Sequence, residues 1–133
     1  MTETHDLATR LLAAIERREQ AALAASPGPW TANAEHDEVV AVDGITVADG
    51  FALSNNQLRA TVDFIVDNDP TAVLLHSAAH RKIVALHDQD HECPEATSSG
   101  HPVLTGWYAE TPCPTLLAMA EIIGLTEQQE GQP

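Results

Sequence analysis

The chain predicts an α+β fold, and three observations carry that prediction. Apolar residues recur at helical spacing near both ends of the sequence and again across residues 55–87. After the first of these stretches, β-branched residues flank Asp43-Gly44, a dipeptide that favours a tight hairpin turn. Asp69-Pro70 then interrupts the helical pattern and restarts it. The expected order is an N-terminal helix, a small antiparallel hairpin or meander, two central helices, a long loop and a short C-terminal helix. All of these fit one α+β domain over residues 1–125, with 126–133 as a flexible polar tail.

The first helix is expected from about Thr4 to Ala25. Leu7, Leu11, Ile15 and Ala22 fall near one face, and Arg17, Arg18 and Glu19 lie around the other. Ser26-Pro27-Gly28-Pro29 stops it, because two prolines and a glycine cannot continue a helix, and Trp30 follows as a large anchor. Val39, Val40 and Val42 precede the Asp43-Gly44 turn, and Ile45-Thr46-Val47 resumes beyond it. A turn near Asp49-Gly50 leads to Phe51-Ala52-Leu53, expected as a third short strand. Ser54, Asn55 or Asn56 can cap the next helix, whose apolar positions are Leu58, Val62, Ile65 and Val66. Asp69 as N-cap and Pro70 as first helical residue open a long helix ending near His87. Residues 88–112 have no period, and a loop of that length in a compact domain calls for an organiser. The last helix starts at Cys113 or Pro114 and ends at Gly124.

Twenty acidic residues against six basic ones give a formal net charge of −14. A surface this acidic repels phosphate backbones and anionic lipid, so direct nucleic-acid or membrane binding is not expected. It suits a basic protein partner, including one whose own groove normally holds DNA. The plainer reading is a well-solvated surface. There is no apolar run long enough to span a membrane and no basic, then apolar, leader at the N-terminus, which predicts a cytoplasmic protein. In a reducing compartment, two cysteines are better read as ligands or free thiols than as a disulfide. The first helix also carries enough apolar surface to pair with a copy of itself as a homo-oligomer.

One cysteine lies within the long loop and the other directly follows it. Cys113 stands where a helix begins, and the helix dipole and free backbone N–H groups there favour a thiolate. His87 ends the preceding helix, while Cys93 and His101 lie in the loop. His87, Cys93, His101 and Cys113 together form a Cys₂His₂ set able to close a tetrahedral zinc site and pin residues 88–112. His91 competes with His101 or His87 as a ligand. The spacing matches no standard finger, and buried or free cysteines beside surface histidines are the alternative. His76, His80, His87 and His91 also recur at helical spacing, but His76-Ser77-Ala78-Ala79-His80 lacks the glutamate of an H-E-x-x-H protease, so His76 and His80 are read as surface or half-buried histidines. Carboxylate clusters such as Glu35, Asp37, Glu38 or Asp88, Asp90, Glu92 are expected by chance in so acidic a chain. No nucleophile elbow, Walker loop or dinucleotide fingerprint is present, and Trp107-Tyr108 reads as a packing anchor.

Three landmarks stand in order: Ser26-Pro27-Gly28-Pro29-Trp30, then Asp63-Phe64-Ile65 leading into Asn68-Asp69-Pro70, then Pro112-Cys113-Pro114-Thr115. That order resembles an uncharacterised family of small proteins from actinobacteria and their phages, with TPGPW and PCPT sequences. It is loosely similar to the lambdoid Ea-type accessory phage proteins. The resemblance covers most of the chain, with a looser match between Trp30 and Leu53. It places the family histidine on His87, the first cysteine of a C-x-x-C pair on Cys93 and the PCPT cysteine on Cys113. This chain has Ala96 where the second cysteine of the pair would stand, so a fourth ligand would come from His101 or His91. The resemblance implies no known activity and a phage or prophage setting, in which small acidic proteins often bind a host protein.

The sequence thus predicts a non-enzymatic accessory protein with a structural zinc ion and an acidic surface that selects a basic host or phage partner, one version being charge mimicry of DNA. The alternative from another class is a small metal- or cysteine-dependent hydrolase using His87, Cys93 and Cys113.

Overall fold

A computed structural model describes residues 3–50, 55–88 and 113–125. The described elements are α1 (Glu3–Ala24), β1 (Thr31–Ala32), β2 (Glu38–Val40), β3 (Thr46–Asp49), α2 (Asn55–Asp67), α3 (Pro70–His87) and α4 (Pro114–Ile123). The α+β class and its helix order are as the sequence predicts. Two compact units divide the chain: residues 1–17 with 78–133, and residues 18–77.

The first unit is organised around helix faces. Thr4, Leu7, Ala8, Leu11, Ala14 and Ile15 are buried along α1, the i, i+3, i+4 pattern of a core-facing stripe. Leu7, Ala8, Leu11 and Ile15 meet Val84 of α3 and Leu116, Met119 and Ala120 of α4 in one apolar cluster that also contains Cys113. Leu11, Ile15, Val84 and Leu116 are fully buried, each contributing about 1.5–3 kcal/mol by leaving water. Pro114 opens α4 at a position where its missing N–H is no loss. Gly124 closes the helix in the left-handed region at φ 76°, where a side chain would be strained. Its amide donates to the Glu121 carbonyl, and the Leu125 amide reaches back to the Ala120 carbonyl at 2.8 Å, satisfying the last carbonyls of the helix.

The second unit holds a three-stranded antiparallel sheet in the order β1-β2-β3. Thr31 faces Val40 and Ala32 faces Val39; across the other side of β2, Glu38 faces Asp49, Val39 faces Ala48 and Val40 faces Thr46. The shift in register after Val39 is a bulge in β3. Val39 of β2 and Ala41, just past the strand, are buried, whereas Glu38 and Val40 are only partly covered. The Asp43-Gly44 signal is realised as a hairpin: the Gly44 amide donates to the Ala41 carbonyl, Gly44 takes φ 84°, and the Ala41 amide donates to the Ile45 carbonyl. The loop from β1 to β2 is built on Asn33. Its side-chain oxygen accepts from the Asp37 and Glu38 amides, and its side-chain amide donates to Asp37. His36 sits in that loop at φ 54° and its Nδ1 is 2.9 Å from the Asp63 carboxylate of α2. α2 lies against β1 and β2, with Val62 as its buried side chain.

Strand β1 is the element that sequence patterning does not foresee. Two residues carry no alternation to read, and the strand exists because Asn33 turns the chain back onto β2. The expected strand Phe51-Ala52-Leu53, most of the loop 88–112 and the tail 126–133 lie outside the described residues.

Candidate thiol–imidazole site

Three helix ends position the site. The last residue of α3 is His87, the residue before α4 is Cys113, and Thr4 and His5 lie in the first turn of α1. Cys113 is 3% exposed and belongs to the apolar cluster of the first unit. Its amide donates to the Thr4 hydroxyl at 3.1 Å, across 109 residues of sequence. That bond satisfies the amide of the residue capping α4, a role taken in a capping box by the third helical side chain; here that residue is Leu116, which has no acceptor, and the Cys113 side chain itself makes no cap hydrogen bond. Beside it, His5 Nδ1 and Asp88 Oδ1 are 3.0 Å apart, half in water, tying the start of α1 to the residue after α3.

The central contact is between Cys113 Sγ and His87 Nδ1, 3.3 Å apart. A thiol–imidazole hydrogen bond accounts for that distance. So does a shared metal ion: a tetrahedral zinc held at about 2.3 Å by sulfur and about 2.0 Å by nitrogen separates those two donors by about 3.5 Å. The pair therefore fits one edge of a zinc tetrahedron with a shift of a few tenths of an ångström. The donor types, one soft thiolate and one imidazole, are those that zinc prefers over the oxygen-seeking ions.

Of the four ligands expected from the sequence, the structure brings His87 and Cys113 together; Cys93 and His101 lie outside the described residues, as does the competing His91. Among the described residues no group of three or more His, Cys, Asp or Glu side chains gathers as a metal site. His76 is exposed and His80 half-buried on α3, in keeping with their reading as ordinary helix histidines. Sequence reasoning missed Thr4 and the His5–Asp88 pair, since nothing local marks contacts spanning 83 and 109 residues.

A second structural centre explains two of the sequence landmarks. Asp69 is 5% exposed. Its Oδ1 accepts the Ala72 amide at 2.8 Å, capping α3, and its Oδ2 accepts the Trp30 amide, also at 2.8 Å. The Trp30 indole N–H donates to the Ser26 carbonyl at 2.9 Å. The segment Ser26–Trp30, whose Gly28–Pro29 bond is cis, and the segment Asn68–Pro70 are thus one hydrogen-bonded unit.

The chain is therefore a small α+β protein with a buried cysteine beside a half-buried histidine where helix ends converge. It belongs to a family of unknown function, DUF6221, whose model matches residues 4–122. No curated protein and no solved structure matches it. Among the described residues no helix is long and apolar enough to cross a membrane.

Proposed function

We propose that this is a non-enzymatic accessory protein that binds a basic protein partner through its acidic surface, with zinc as a structural staple. Cys113 carries the reading. The residue is 3% exposed and belongs to an apolar cluster, with His87 Nδ1 at 3.3 Å from its sulfur. A nucleophile must meet its substrate, and a thiol so placed does not; a structural ligand gains from the same burial. This weighs against the hydrolase and leaves the exterior, with a formal charge of −14, as what the protein offers to others. In this reading His87 and Cys113 hold zinc together with Cys93 and His101, the ion adds folding free energy, and the partner is a host or phage protein in the cytoplasm. An actinobacterial phage or prophage setting is part of the proposal, as is one version in which the charge imitates DNA. Nucleic acid and membranes are not direct partners.

Metal analysis of the purified chain tests the zinc. About one zinc per chain is expected, lost together with thermal stability in Cys113→Ser and in Cys93→Ser. Cobalt substitution should give thiolate charge-transfer bands and tetrahedral d–d bands. A metal-free chain with unaltered melting in both variants refutes the staple. Binding to a basic protein partner should weaken steeply between about 50 and 500 mM salt, and an affinity constant over that range refutes the electrostatic part.

A further inference from the structure

The sheet of the second unit carries a feature that folding alone does not explain. Glu38 and Asp49 are direct partners across β2 and β3, so two carboxylates stand side by side on one face. Neither makes a side-chain hydrogen bond or ion pair among the described residues. The Gly50 amide donates to the Asp37 carbonyl at 2.9 Å, making that a hydrogen-bonded pair. By alternation Glu38–Asp49 is of the non-hydrogen-bonded kind, in which side chains stand closest and the Asp49 amide and carbonyl point away from β2. β3 is the outer strand of the sheet, and among the described residues nothing pairs with its outer side. At its other end, the hairpin exposes Val42 and Ile45, 59% and 62% open to solvent.

We infer that the outer edge of β3 is a docking site for an extended basic segment of a protein partner, added as a fourth strand. Backbone pairing along Thr46–Asp49 supplies affinity. A Lys or Arg beside the Glu38–Asp49 pair relieves its repulsion, and an apolar residue about 14 Å away meets Ile45. Charge selects among occupants: an acidic or neutral strand leaves the repulsion in place, and a second copy brings its own Asp49 to the same edge. Edge strands are commonly protected by charge against unwanted pairing, and here the protecting charge admits only a basic strand. This placement rests on the acidic-surface reading above and localises it.

The test is amide-resolved NMR of the full chain titrated with a ten-residue peptide of alternating valine and lysine, and with its glutamate-for-lysine counterpart. The lysine peptide should shift Thr46–Asp49 and Glu38. The Glu38→Gln/Asp49→Asn double variant should bind it about tenfold more weakly, while Glu35→Gln/Asp67→Asn, with the same change in net charge, should bind nearly as the parent does. Equal weakening in both double variants overturns the placement and leaves the acidic-surface reading standing. Binding of the glutamate peptide at β3 overturns the charge selection. No binding of the lysine peptide at low salt overturns both.

Discussion

Asp69→Ala is the substitution for which the structure gives the most definite cost. It removes the acceptor of two amides at once: Ala72, in the first turn of α3, and Trp30, at the end of the proline-rich segment, each 2.8 Å from a carboxylate oxygen. Loss of the helix cap costs about 0.5–2 kcal/mol. The half-buried Trp30 amide, left without its partner, costs about 1–3 kcal/mol. The sum is about 1.5–5 kcal/mol, a large share of the stability of a small domain. Asp69→Ser keeps a capping oxygen but does not reach Trp30 as well, and Asp69→Asn keeps one acceptor while turning a donor toward the other amide; each should lose about half as much. Asp67→Asn is the control, an exposed carboxylate two positions away whose loss changes the net charge equally. Equilibrium urea unfolding followed by Trp30 fluorescence, in a Trp107→Phe background, gives the differences, with midpoint shifts of about 1–2 M expected for the alanine variant. An Asp69→Ala variant within about 0.5 kcal/mol of Asp67→Asn would refute the shared-acceptor account.

Two further substitutions test packing and charge. Leu11→Ala, at a position with no exposure in the first unit, should cost about 2–5 kcal/mol by thermal or urea unfolding. Because Cys113 shares that cluster, its reaction with a thiol reagent in metal-free, Cys93→Ser protein should also quicken in Leu11→Ala; equal rates would show that the cluster does not seal the thiol. Asp49→Asn should stabilise the second unit by about 0.2–1 kcal/mol, since it removes one of two facing carboxylates. Destabilisation would mean that Asp49 has a favourable role in the sheet.

The helices were legible because their signals are local. Leu7, Leu11 and Ile15 announce the buried stripe of α1; Asp69-Pro70 and Gly124 mark helix limits; and the hairpin was written in Asp43-Gly44. Depth was not legible. Leu58, Val62, Ile65 and Val66 share helical spacing in α2, yet Val62 alone among them is buried, and neighbouring Phe64 is 68% exposed. Periodicity says which face turns inward and leaves open how much lies opposite it. At the site, residue chemistry was enough to nominate His87 and Cys113 as neighbours. It could not nominate Thr4, whose value there comes from an ordinary hydroxyl delivered by the far end of the chain.

The bond between Trp30 and Asp69 also bears on how this family can vary. It holds two positions 39 residues apart within hydrogen-bonding distance, so residues 31–68 form an excursion that leaves and returns to the same carboxylate. For a chain closed at its base, ten added residues raise the closure entropy by only about 0.2 kcal/mol. Relatives should therefore tolerate length changes in the β1–β2 and β2–β3 turns while the proline-rich segment and Asp69 stay in place. The base is fixed, and the excursion above it is where added or lost residues should cost the fold least.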